Sequence, residues 1–187
     1  MNPLDELHAL LNLFPQPQAV ITHAEHIPSA ITPEPYKTLL VHHEHMTVTM
    51  ERYHQGPVSV RVLQDRLEGD IYARQIVLVK HDTHQPVQFG IVRFDLSFVD
   101  PRVRAEILAR QTPLGRILIQ HNVLRHIDLG AVLKVTLGPA LAEWLQAKEN
   151  AVTYGRLATI FCDRKPAVDL LEVSAPLPLP TLKHVSE

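Results

Sequence analysis

Three ionisable side chains, Arg74, Arg93 and Glu172, stand at alternate positions within otherwise apolar segments. Because side chains along a strand alternate between its two faces, each would share its face with hydrophobic neighbours. An isolated charge in a core costs several kcal/mol, so each of the three needs a partner or a ligand. Two interpretations remain open: a polar floor inside an apolar cavity, or edge and two-sided strands whose charges reach water.

The chemistry of these side chains points to an organic acid. Arginine recognises a carboxylate through two parallel hydrogen bonds from its planar guanidinium, which suits Arg74 as an anchor. A glutamate in an apolar pocket has a raised pKa and can exchange a proton near neutral pH, which suits Glu172. If the cavity interpretation holds, the pair can hold an acid and move a proton.

The stretch HHEH at residues 42–45 is rich in side chains that can bind metals. Adjacent ligands on a helix point in different directions, and no second cluster with matched spacing accompanies them. We therefore expect no metal site. Cys162 is the only cysteine, which excludes an internal disulfide and fits a reducing compartment.

Composition limits the possible classes of protein. The 187 residues suit one domain, and the net charge of −2 gives no reason to expect nucleic acid as a partner. The first residues lack the basic region of a signal peptide, and the sequence has no apolar run of about 18 residues. A cytoplasmic protein without membrane insertion is expected.

Hydrophobic periodicity predicts an α+β fold. Its expected form is one antiparallel sheet of about six strands, with helices gathered on one side. The expected helices cover residues 3–14, 36–45, 46–54, 101–110, a stretch after TPLG, and 139–149. The expected strands begin near residue 57 and cover 70–80, 86–96, 123–137, 153–163 and 167–174, with a tight turn at Asp163–Pro166. The proline-rich residues 15–35 are expected to form an extended surface connector.

Six segments, in order and spacing, resemble the chorismate pyruvate-lyase family. They are EHMT (44–47), YARQIVL (72–78), PVQFG (86–90), TPLGRIL (112–118), YGR (154–156) and PAVDLLEVSAP (166–176). TPLG is the most specific of them, and the ordered set carries more weight than any single motif. The resemblance implies a chorismate lyase-like domain at residues 36–187, preceded by an N-terminal helix and connector at residues 1–35 without a clear counterpart.

The resemblance also assigns roles to residues. It implies that Arg74 holds the ring carboxylate of the substrate and Glu172 its hydroxyl end, both as catalytic residues, inside a pocket covered by helical flaps. One departure is Ile91, where the ubiquinone-synthesis enzyme of the family has an arginine, so Arg93 is a candidate to replace that charge. The further substrate-binding residues expected are Met46, Thr47, Gly90, Leu114, Arg93 and Arg156.

The activity implied is a carbon–oxygen lyase that eliminates pyruvate from chorismate and leaves 4-hydroxybenzoate, in ubiquinone or plastoquinone synthesis. Aromatisation drives this reaction, so no cofactor is expected, and Glu172 could act as acid or as base. The alternative is a non-catalytic module of the same fold that binds an aromatic acid, as in the effector-sensing domains of certain regulators. Those regulators carry an upstream DNA-binding domain, for which residues 1–35 are too few, and this favours the enzyme.

Overall fold

The structure, a computed structural model, describes residues 2–123, 126–162 and 164–179. Within these ranges, seven strands form a single antiparallel sheet in the order β1-β5-β6-β7-β4-β3-β2. The strands are β1 (Ile21–Ile27), β2 (Val58–Glu68), β3 (Ile71–Lys80), β4 (Pro86–Asp95), β5 (His126–Leu137), β6 (Val152–Cys162) and β7 (Lys165–Ser174). The α+β class with one antiparallel sheet is therefore confirmed.

Helices occupy the connections between these strands. The α-helices are α1 (Pro3–Leu11), α2 (Pro17–Val20), α3 (Tyr36–Leu40), α4 (Met46–His54), α5 (Pro101–Leu108), α6 (Leu114–Gln120) and α7 (Pro139–Trp144), with short 3-10 turns at Ser29–Ile31 and Leu96–Phe98. The helix expected over 36–45 ends at Leu40, and that expected over 139–149 ends at Trp144. Asp163, the first residue of the turn expected at Asp163–Pro166, lies outside the described residues. Residues 124 and 125 of the strand expected over 123–137 also lie outside them.

The N-terminal region differs most from expectation. The sequence predicts a surface connector over residues 15–35, but this region contains α2 and β1, and β1 pairs with β5 at one edge of the sheet. Only Ile21 of β1 is buried, because an edge strand presents little of its surface to the core. The alternation of polar and apolar residues that reveals a strand is therefore missing from ITHAEHI, and the seventh strand was not expected.

The sheet separates two layers of helices, which corrects the expectation that the helices gather on one side. On one face, which is called the cavity face below, α3, α4, α5 and α6 pack against residues that include Ile76, Val92 and Leu170. On the opposite face, α1 and α7 pack against the alternate residues, which include Val77, Ile91 and Leu171. The two faces follow from the period of two in each central strand.

Candidate functional site

A cavity lies between the cavity face of the sheet and the first turns of α4 and α6. Its volume is about 50 Å³, room for only a few water molecules. Strands β2, β3, β4, β6 and β7 form the floor, and residues 45–47 and 113–115 form the cover. The lining residues are His45, Met46, Thr47, Val60, Arg74, Ile76, Leu78, Gln88, Gly90, Val92, Pro113, Leu114, Gly115, Ile160, Leu170, Leu171 and Glu172.

The two parts of the cover touch each other at Gly115. A Cβ atom added at Gly115 would lie 3.0 Å from Oγ1 of Thr47 and 3.2 Å from both Cβ and Nδ1 of His45. A side chain at this position would therefore push the first turn of α6 away from that of α4. The glycine of the TPLG motif lets the cover close over the cavity.

Arg74 is the main polar group of the floor. It is 1% exposed, and its Nε and Nη1 atoms have no hydrogen-bond partner among the described residues. Burial lowers the pKa of the Arg74 guanidinium, and the neighbouring Tyr72 and Asp65 partly offset that effect. The phenol of Tyr72 donates a hydrogen bond of 3.2 Å to Oδ2 of Asp65. The guanidinium thus has donors directed at no protein acceptor, at a position where an unmet donor is costly.

Arg156, beside the cavity, is as deeply buried but fully bonded. Its Nε donates to Oε2 of Glu172 at 2.7 Å, and the two side chains form an ion pair. Its Nη1 donates to the carbonyl oxygens of Leu40 at 3.5 Å and His42 at 3.0 Å, and its Nη2 donates to that of Glu44 at 3.1 Å. Arg156 therefore joins the floor of the cavity to the segment that leads into α4.

His42 completes this cluster in its neutral form. Its Nε2 lies 2.7 Å from the carbonyl oxygen of Leu39, so it carries the proton and donates. Its Nδ1 then accepts from Nη1 of Arg156 at 3.2 Å and from the backbone N–H of Glu44 at 3.1 Å. Burial, and next the charge of Arg156, lower the pKa of His42, in agreement with an acceptor nitrogen at this position.

Strand register explains why residues far apart in the sequence meet here. Ile76 pairs with Gly90, Gly90 with Glu172, and Glu172 with Arg156, so the four lie in one row across β3, β4, β7 and β6. Arg74 belongs to the next row on the same face, opposite Val92. Gly90 adds little bulk to this floor, although a Cβ there would approach Cδ1 of Ile76 to 3.3 Å.

The structure brings together most of the residues that the sequence singled out. Arg74, Glu172, Met46, Thr47, Gly90 and Leu114 all line the cavity. Arg93 does not: it lies on the opposite face, where its Nη1 is 3.2 Å from Oδ2 of Asp169. Ile91 lies on that face too, within the core around α1 and α7. Arg93 is therefore in no position to supply a second positive charge to the cavity.

Two polar lining residues were not expected. Gln88 is 2% exposed and its Oε1 has no hydrogen-bond partner among the described residues, and the same holds for Nε2 of His45, which is 7% exposed. Burial lowers the pKa of His45, so its imidazole is neutral near pH 7. The signal for Gln88 was its position two residues before Gly90 on β4, which places both on one face.

The described residues contain neither a cluster of metal-binding side chains nor a membrane-spanning helix. No three or more His, Cys, Asp or Glu side chains come together in a group that could hold a metal ion in residues 2–123, 126–162 and 164–179. Within the same ranges, no helix is long and apolar enough to cross a membrane.

Comparisons with known proteins give a fold but no family. No family model matches the sequence, and no curated protein matches it. The effector domain of PhnF from Mycobacterium smegmatis is 9% identical over a match that covers 71% of this chain and 88% of that domain, with a TM-score of 0.55. The match covers 70% of this chain and 63% of the longer PhnF structure, also with a TM-score of 0.55.

A second similar structure is the ligand-binding domain of a protein assigned to the GntR family of transcriptional regulators, from Bordetella bronchiseptica. It is 13% identical, and the match covers 66% of this chain and 92% of that domain, with a TM-score of 0.50. At such identities these structures show that the fold is shared.

These structures contradict the expectation of a carbon–oxygen lyase. One neighbour is the ligand-binding domain of a protein assigned to the GntR family of transcriptional regulators and another is the effector domain of PhnF, and neither is a chorismate lyase. The resemblance to the lyase family rests on short motifs, and such motifs do not by themselves distinguish an enzyme from a binding domain of the same fold.

Proposed function

We propose that this protein is a ligand-sensing module that binds a small organic acid in the cavity and carries out no reaction on it. The observation that supports this most directly is Arg74, a buried guanidinium whose Nε and Nη1 lack protein acceptors. A carboxylate is the natural partner for such a group, because it accepts two hydrogen bonds and neutralises the charge.

The cover provides further donors for the same carboxylate. Met46 is the first residue of α4, and the residue before it, His45, makes no capping hydrogen bond with its side chain. The first N–H groups of a helix lack partners within the helix and carry a partial positive charge. The start of α4 faces the cavity, so its N–H groups and Arg74 can bind one anion together.

The rest of the cavity favours an apolar body for the ligand. Ile76, Leu78, Val92, Ile160 and Leu170 supply most of its walls. A planar ring or short hydrocarbon would bury against these side chains at a gain of about 25 cal/mol per Å² of apolar surface. An aromatic or similarly compact apolar acid fits both the walls and the anchor.

Ligand entry requires the cover to move. A volume of about 50 Å³ is smaller than a six-membered ring with a carboxylate needs, so residues 45–47 and 113–115 must shift when such a ligand binds. Arg156 ties the segment before α4 to Glu172 in the floor. A ligand that contacts Glu172 would therefore affect the position of this segment, as a sensor requires.

The test is a calorimetric titration of the purified protein with benzoate and 4-hydroxybenzoate, each compared with its neutral amide. We expect the acids to bind and the amides to bind at least tenfold more weakly. Arg74→Met should weaken acid binding by about 100-fold, since a charge-assisted pair is worth roughly 1.5–3 kcal/mol.

Arg93→Met is the matched control, because Arg93 lies on the opposite face and pairs with Asp169. Its acid affinity should stay within twofold of the wild-type value. Equal binding of acids and amides, or equal losses in the two variants, would show that Arg74 is not a carboxylate anchor. Release of pyruvate from chorismate would refute the non-catalytic role.

A further inference from the structure

We infer that the cavity selects a monoanionic acid whose end remote from the carboxylate carries an uncharged hydrogen-bond donor, and that Gln88 recognises this donor. The inference rests on the proposed function, because it assumes that Arg74 binds the carboxylate. Beyond the proposed function, the inference specifies the net charge of the ligand and the residue that recognises the end of the ligand remote from its carboxylate.

The charge follows from the ionisable groups around the cavity. Arg74 is the only lysine or arginine that lines it within the described residues. Glu172 also lines the cavity, but Arg156 neutralises it through the ion pair of 2.7 Å. Burial keeps His45 neutral near pH 7 by lowering its pKa. Among the described residues that line the cavity, Arg74 is thus the one cation without a carboxylate partner in the lining, and it matches one carboxylate of a ligand.

A second carboxylate on the ligand would find no second lysine or arginine among the described residues that line the cavity. Arg93 points to the opposite face, and Arg156 already donates to Glu172 and to backbone carbonyl oxygens. A dianion would place its second charge in an apolar enclosure without a cation to pair with it, at a high desolvation cost. Dicarboxylic acids should therefore be rejected.

The remote end of the cavity is rich in acceptors. Gln88 lies four residues from Val92, the strand partner of Arg74, which is a separation of about 13 Å along β4 at 3.3 Å per residue. Its Oε1 is buried and lacks a donor among the described residues. Glu172 lies between the two rows, and one of its oxygens already accepts from Arg156. An elongated ligand that brings a hydroxyl or aryl amine would satisfy Gln88.

An ammonium group suits this end less well than a neutral donor. Arg156 and Glu172 already balance each other, so an added positive charge would be buried without a carboxylate of its own. A neutral donor supplies the missing hydrogen bond without adding charge. The unpaired Oε1 of Gln88 and the balance of charges around the cavity therefore both favour a ligand with an uncharged donor at this end.

The experiment compares isosteric pairs of acids by calorimetry at pH 7. One pair is 4-hydroxybenzoate and 4-methylbenzoate; the other, longer pair is 4-(2-hydroxyethyl)benzoate and 4-propylbenzoate. We expect at least one hydroxylated acid to bind about tenfold more tightly than its isostere, because a site left with an unmet polar group rejects the apolar analogue. Terephthalate, a dianion, should bind at least 100-fold more weakly than 4-methylbenzoate.

Gln88→Met should abolish the preference for the hydroxylated acid over its apolar isostere. Gln75→Met is the matched control: Gln75 is also a buried glutamine without partners among the described residues, but it does not line the cavity. This variant should retain the full preference.

The outcomes separate the two proposals. If none of the monoacids binds the wild-type protein, the proposed function fails and the inference falls with it. If the monoacids bind but no hydroxylated acid is preferred, or the preference survives in Gln88→Met, the role of Gln88 is refuted while the acid-binding function stands. Tight binding of terephthalate would refute the charge argument alone.

Discussion

Two arginines, Arg74 and Arg156, stand on the same face of one sheet and are each 1% exposed, yet their surroundings are opposite. Arg156 meets a carboxylate, an imidazole nitrogen and backbone carbonyl oxygens, so the protein itself satisfies it. Arg74 keeps two nitrogen atoms without acceptors in the described part of the chain. The protein provides the partners of the first arginine, and the second is the one that we propose to bind a ligand.

Burial of a charge does not by itself mark a binding site. A buried ion pair with complete hydrogen bonding is a structural element. Removal of one partner leaves the other as an unpaired buried charge, which destabilises the protein. A buried charge without partners reduces stability until something binds it. Substitutions of these residues and changes of pH test this contrast.

Arg156→Met should destabilise the protein by about 3–5 kcal/mol, because it leaves Glu172 as an unpaired buried charge and frees several carbonyl oxygens. Chemical denaturation measures the free energy of unfolding. Arg93→Met provides the comparison, since its partly exposed pair with Asp169 should be worth less than about 1 kcal/mol. Similar losses in both variants would contradict the structural role of Arg156.

Glu172→Gln should cost about 2 kcal/mol, less than the loss of Arg156, because an amide oxygen can still accept from Nε of Arg156 while the charge attraction disappears. A double-mutant cycle with Arg156→Met isolates the coupling of the two side chains. Additive effects of the two substitutions would show that the ion pair contributes nothing beyond the single residues.

Stability should fall as the pH drops below about 6.5. Burial lowers the pKa of His42, His45 and His54 in the folded protein, so the unfolded chain binds more protons below its ordinary value of 6.5. Each such histidine can contribute up to about 1.4 kcal/mol per pH unit. Denaturation at pH 7.5, 6.5 and 5.5 measures the slope, and His42→Asn should reduce it. A stability independent of pH across this range would contradict the neutral form of His42.

Arg74→Met should change the stability of the ligand-free protein least, with a difference between zero and a gain of about 1 kcal/mol. The substitution replaces a buried guanidinium, whose Nε and Nη1 lack acceptors among the described residues, by an apolar group of similar length. Thermal or chemical denaturation without ligand gives the value, and the same variant is expected to lose acid binding. A loss of stability as large as that of Arg156→Met would mean that Arg74 is also a structural residue.

The pattern of residues predicted the central sheet and the two charges of the cavity, because the period of two is strong in β3, β4 and β7. It missed β1, whose exposed edge position removes the apolar alternation, and it placed helices on one side only. It grouped Arg93 with the site because parity within one strand does not say which face of the sheet holds the cavity. Gln88 escaped notice because an uncharged side chain on an apolar face carries a weaker signal.

The α+β class and the position of most strands follow from the sequence alone, because local periodicity and the cost of exposing apolar surface specify them. The burial of Arg74 and Glu172, and the difference between the two buried arginines, depend on the tertiary structure. The registers of β4, β6 and β7 bring Arg156 opposite Glu172 and leave Arg74 facing the cavity. Hydrogen bonds between strands distant in the chain set those registers, and no local pattern specifies which charge receives a partner.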